Sequence, residues 1–238
     1  MKVLLGFLIG IGVVVLIAVL ALGYLGFMPG VSNLFGSNTP RDLGVRFTAA
    51  DFQSARAKTG TVHTDLPSDA RPEDSLRFSG QRAVNTTFTE SEFNSLIVNR
   101  PWKYYPLDQP QLKINPDGSV EFTARIVKSR IEPFALSLGF TQEDIGMITN
   151  YSRFLPGDPV VDIKGTCSVV NGRISQSITQ AKIGRLDFTK QIQDNSGSIV
   201  NWIEDELLTM PGLSVKNFQF VNGKVHFEGT LPDTARSK

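Results

Sequence analysis

Asn217-Phe218-Gln219-Phe220-Val221-Asn222-Gly223-Lys224-Val225-His226-Phe227-Glu228 is the stretch whose reading decides the fold. Asn-Gly between two alternating runs is a strong hairpin signal, because both central residues of a type I′ turn need positive φ. A two-residue loop at 222–223 opposes Phe220 to Val225 and Phe218 to Phe227. On the other face it opposes Gln219 to His226 and Asn217 to Glu228. One face of the expected sheet is apolar and the other wet, as in antiparallel sheets covered on one side.

Two more hairpins are expected upstream. Asn171-Gly172 opposes Val169 to Ile174 and Cys167 to Gln176. At Pro116-Asp117-Gly118, a two-residue loop would set Ile114 against Glu121. A three-residue loop with Gly118 left-handed sets Ile114 against Val120 and Leu112 against Phe122. Because side chains alternate along a strand, only the second keeps apolar residues on one face, and it is the expected register. Leu76 to Phe88 reads as a further strand, preceded by a polar loop from Leu66 to Ser75.

Between the strands a helix start recurs. Phe47-Thr48-Ala49-Ala50-Asp51, Phe88-Thr89-Glu90-Ser91-Glu92 and Phe140-Thr141-Gln142-Glu143-Asp144 all read F-T-x-x-[D/E]. The Thr hydroxyl can accept from the third helical amide while the carboxylate returns to the Thr amide. The Phe before it and Phe52, Phe93 or Ile145 after it form a staple. The first helix should end near Lys58 with Gly60 behind it, and the second before Pro101. The third carries the stripe Ile145, Ile148, Tyr151 and Leu155. A fourth carries Ile199, Ile203, Leu207 and Met210 on one face, with Glu204, Asp205 and Glu206 read as its solvated side. Hairpins alternating with one-sided helices give α+β: a curved antiparallel sheet packed against amphipathic helices.

At the start of the chain, Val3 to Met28 has no charged side chain. A helix of about 26 residues at ~1.5 Å per residue crosses a ~30 Å hydrocarbon core, and a lone span can satisfy its backbone only as a helix. A cleaved leader is the competing reading, with Lys2 and Val19-Leu20-Ala21, but the apolar run continues past an ordinary leader core. The expected organisation is a transmembrane anchor at 1–28, a linker at 29–46 whose Pro29 to Pro40 stretch reads as a short flexible tether, and an extracytoplasmic α+β domain at 47–238. The anchor passes the plasma membrane once, with the amino terminus inside. Gly6 and Gly10 form a GxxxG pattern suited to weak pairing of two spans.

Composition narrows the function. Lys and Arg number 24 against 23 Asp and Glu, so no basic excess points to nucleic acid. Cys167 is the only cysteine, which excludes an intrachain disulfide. His63 and His226 are the two histidines and are placed on the surface. No catalytic signature, phosphate loop or metal-ligand spacing occurs, so no enzyme, metal or cofactor is expected. Trp102, Lys103, Tyr104 and Tyr105, between two prolines, suit a bilayer interface or a ligand-gripping loop.

FTESEFNSLI, QLKINPDGSVEFTARI and VNGKVHFEGTLP, behind an amino-terminal span, resemble the YpmS-type single-pass bacterial surface proteins. More remotely they are similar to the LmeA-type phospholipid-binding proteins. The resemblance implies an extracytoplasmic domain of tubular, lipid-binding character and transfers no site residue. The expected function is a membrane-anchored domain binding a lipid or other apolar ligand. The alternative is a non-catalytic structural or protein-interaction domain of the envelope.

Overall fold

A computed structural model describes residues 2–28, 30–143, 145–146 and 157–238; within these, the side chains of 2–12, 199, 202 and 206–208 are excepted. The described helices are α1 (Lys2–Tyr24), α2 (Val31–Phe35), α3 (Ala49–Thr59), α4 (Glu90–Val98), α5 (Ile131–Ser137) and α6 (Thr189–Thr209). The strands run β1 (Val62–Asp65), β2 (Leu76–Ser79), β3 (Arg82–Thr89), β4 (Leu107–Ile114), β5 (Val120–Ile126) and β6 (Val160–Val170). They continue with β7 (Arg173–Ile183), β8 (Leu186–Asp187), β9 (Ser214–Val221), β10 (Lys224–Leu231) and β11 (Thr234–Ser237).

The larger sheet is antiparallel and strongly curled, in the order β3-β10-β9-β6-β5-β4 with β7 and β8 branching from β6. β6 pairs with β7 along one edge, while its other edge is shared in series by β5 and β9. Curling is helped by bulges at Gly165 and Gly229, where a Cβ would run into the Ser177 and Ser214 carbonyls respectively. A small sheet of order β1-β11-β2 stands beside it, with β1 parallel to β11.

All three hairpins have the expected register. Phe218 opposes Phe227, Ile114 opposes Val120, and Val169 opposes Ile174. Asn171 and Asn222 both sit at φ 50, and Gly118 at φ 82. The capping boxes at Thr48/Asp51 and Thr89/Glu92 are complete, and Gly60 closes α3 in the left-handed region. Of the third start, the Ile145 amide donates to the Thr141 carbonyl; Asp144 and the Ile148, Tyr151, Leu155 stripe lie outside the described residues.

Four expectations are corrected. Leu76 to Phe88 is two strands in two sheets, because Gly80 turns the chain at φ 72 against Asp233. Glu204 is buried rather than solvated: it accepts from the Ile174 amide and Arg173, pinning α6 to the β6–β7 turn. β1, β11 and α5 were not anticipated, the strands being four residues each and α5 carrying Pro133 in its first turn.

The fourth concerns residues 30–46, read as a linker that begins as a flexible tether. Their glycines and serines instead shape turns: Gly30 and Gly36 have positive φ, and Ser32 and Ser37 are buried. α2 folds back on α1, with Tyr24 and Phe35 edge to face at 5.8 Å. The Arg185 guanidinium lies 4.1 Å from the Tyr24 ring centroid and donates to the Phe35 carbonyl. An extended strap follows. Arg41 bridges Asp162 and Glu121, the Leu43 amide donates to Gln111, and Val45 is buried.

Phe27, inside the expected span, is buried in the protein at 5% exposure. Only residues 13–24 of α1 have described side chains, and among the described residues no helix is long and apolar enough to cross a membrane. Gly6 and Gly10 fall on α1 where side-chain surroundings lie outside the described residues.

Candidate ligand-binding cleft

α3 and α4 lie together over the apolar face of β3, β10 and β9. Ala55, Val84, Phe88, Ile114, Val225 and Phe227 form the buried cluster beneath them, with Phe93, Leu96, Phe218 and Phe220 packed around it. The chain has 16 phenylalanines, yet among the described residues the largest side chain sealed below 2% exposure is Val225. A well-filled interior would bury its largest apolar groups first. Here several border a cleft of about 750 Å³, open on one side.

Each wall follows from local periodicity. On α3, Phe52, Arg56 and Thr59 recur at helical spacing and line the cleft together. On α4 and its exit, Phe93, Leu96 and Arg100 do the same. Phe218 and Phe227 are a cross-strand pair on β9 and β10, so both reach the cleft from one face of the sheet. Phe78 and Ala235 contribute from the small sheet, and Met210 and Leu213 from the turn after α6. Phe93, Phe218 and Phe220 stand 5.1–6.3 Å apart between centroids.

The mouth differs in chemistry. The exposed lining residues are His63, Thr64, Asp65, Asn99, Arg100 and Pro101, while the buried ones are Phe88, Phe227, Pro232 and Ala235. Arg56 is half-buried between the two groups, 5.8 Å from the Phe52 ring centroid. Burial, then Arg56, then Arg100 push the His63 imidazole below its ordinary pKa, so the positive field at this mouth reaches the ring. Asp65 is the acid that lines the mouth; Glu92 and Asp233, outside the lining, pair with Lys58 and Arg82.

Glu92 fixes the roof. It is 5% exposed and accepts from the Lys58 ammonium, the Ser54 hydroxyl and the Thr89 amide, joining α3 to α4. Burial opposes its charge, but those hydrogen bonds outweigh it and hold the carboxyl below the usual range. Asn94, fully buried, exchanges hydrogen bonds with both the amide and the carbonyl of Leu112, and the Ile114 amide donates to Glu90. α4 therefore caps the polar edge of β4 with side chains.

Trp102, Lys103, Tyr104 and Tyr105 are outside the cleft lining. The Trp102 ring packs on Phe134 at 5.2 Å and its indole N–H donates to Ser75. Lys103 lies 5.5 Å from the Tyr104 centroid. Tyr105 is half-buried, and burial pushes its hydroxyl above the ordinary pKa while Arg100 pulls the other way. Cys167 is half-buried, and burial raises its thiol pKa, which disfavours the thiolate. Among the described residues, no three His, Cys, Asp or Glu side chains gather as a metal-ligand set.

The cleft residues were missed in sequence because they belong to eight separate helices and strands and the segments between them. A signal was present: after two of the F-T-x-x-[D/E] starts an aromatic is followed by an arginine at helical spacing, Phe52 with Arg56 on α3 and Phe93 with Arg100 just past α4. Comparison with family models, curated proteins and solved structures finds no match. The resemblance to the YpmS and LmeA types therefore rests on the quoted sequence patterns.

Proposed function

We propose that the chain is a membrane-anchored extracytoplasmic module that takes an apolar or amphiphilic ligand into the cleft under α3 and α4. The observation that carries this reading is the cleft itself: about 750 Å³, lined by Phe52, Phe78, Phe93 and Phe218, which are only half-buried. Small-molecule sites span roughly 300–1,000 Å³ and combine apolar walls with a few polar groups. At ~30 Å³ per water-sized group, the space holds on the order of 20 non-hydrogen atoms. The uncharged run Val3 to Met28, helical from Lys2 to Tyr24, supports α1 as the anchor. Its end is clasped by Arg185 and by the Ser37 hydroxyl donating to the Gly23 carbonyl, so the domain would be held close to the bilayer.

Native mass spectrometry of the full chain, released from neutral detergent, tests the reading. Wild type should carry or take up one lipid-sized adduct, and Leu96→Trp, which narrows the cleft beside Phe93, should carry clearly less. Wild type that stays free of adduct after incubation with lipid would favour the structural or protein-interaction alternative.

A further inference from the structure

We propose that the cleft selects an amphiphile with one long aliphatic chain and an anionic headgroup, the headgroup held at the mouth by Arg56 and Arg100. This rests on the ligand-binding reading above and adds the chemical class of ligand. Both arginines line the cleft, one half-buried and one exposed at its opening, while the apolar lining lies beyond them. Several other cations on or beside the sheet are matched: Arg41 with Asp162 and Glu121, Lys164 with Glu121, Arg173 with Glu204. Asp65 is the one acid among the lining residues and makes no ion pair with either arginine among the described residues, while Glu92 and Asp233, outside the lining, are committed to Lys58 and Arg82.

Arg56 is only partly hydrated and rests near an aromatic face. A guanidinium in that setting gains most from a planar or tetrahedral oxyanion, which can accept paired N–H donors. A neutral headgroup would leave both charges uncompensated, and a cationic one would add repulsion. Carboxylate and phosphate share the required chemistry. The cleft has space for on the order of 20 non-hydrogen atoms, which one hexadecyl-length chain with its headgroup matches and a two-chain lipid exceeds.

The test uses the full chain in nanodiscs of phosphatidylcholine and photoreactive hexadecyl probes ending in carboxylate, phosphate or trimethylammonium. Labelling is mapped to the peptide holding Phe93 and Leu96. The anionic probes should label it, and whichever of the two labels more strongly identifies the headgroup. Arg56→Gln combined with Arg100→Gln should lower anionic labelling about tenfold, equivalent to ~1.4 kcal/mol, and the double Lys variant should restore most of it. Arg100→Gln alone, at an exposed position, should lose about threefold and serves if the double variant unfolds. Ammonium labelling equal to the anions, or anionic labelling unchanged in the Gln variants, overturns the headgroup assignment while the cleft remains a binding site. Absence of labelling by every probe overturns both readings.

Discussion

The two ends of the curled sheet use cations in opposite ways. At the strap end, Arg41 is tied to Asp162 and Glu121, Lys164 shares Glu121, and the backbone of residues 41–43 is bonded to the sheet. At the cleft end, Arg56 and Arg100 stand beside phenylalanines with no acid to match them among the described residues. Matched charges hold a segment in place, whereas a half-buried cation beside aromatics, such as Arg56, is left to find its counter-charge outside the chain's own ion pairs. The proposed ligand site is drawn at that end of the sheet.

Three sets of substitutions sharpen this contrast. Asn94→Leu should have the largest effect, about 2–3 kcal/mol by urea unfolding, because the amide and carbonyl of Leu112 lose their buried partner at the border of the cleft. Lys58→Met should cost about 2 kcal/mol by leaving the Glu92 carboxylate buried without its cation. The same site predicts pH dependence. The folded-state pKa of Glu92 is depressed, so its contribution is present above the unfolded value near ~4.3 and is lost as pH falls through the folded value. Glu92→Gln should flatten the acid limb of a stability–pH curve, and an unchanged limb would contradict the assignment.

The third set compares the ends directly. Arg41→Gln should destabilise by about 1 kcal/mol, reduced by its half-exposed side chain. Arg56→Gln and Arg100→Gln should each stay within about 0.5 kcal/mol of wild type in thermal melts. A larger loss at Arg56 or Arg100 than at Arg41 would mean the cleft cations are structural.

Much of the scaffold was legible in sequence because its determinants are local. Asn171-Gly172 and Asn222-Gly223 set their own φ values, and alternation then fixes which residues face one another across Phe218 and Phe227. Thr48 and Thr89 find capping partners three residues on. The unread parts depend on distant partners. Glu204 looked solvated within its own helix and is buried only because the Ile174 amide meets it from another element. Residues 30–46 had a linker composition, but Arg41 finds Asp162 across the sheet. Trp102, Lys103, Tyr104 and Tyr105 drew attention by local aromatic density, whereas the cleft gathers Phe52, Arg56, Phe93, Arg100, Phe218 and Phe227 from across the chain.

The most direct measurement is thermal unfolding of the full chain against rising concentrations of hexadecanoate below its micellar range, beside Leu96→Trp. A ligand at a hundred times its Kd stabilises by about 2.7 kcal/mol, a rise in Tm of roughly 5–10 °C for a chain of this size. Wild type should show that rise with saturation, and Leu96→Trp, with a narrowed cleft, should need a higher concentration to reach it. Equal shifts in both proteins, or no shift in wild type, would contradict a ligand seated under α3 and α4.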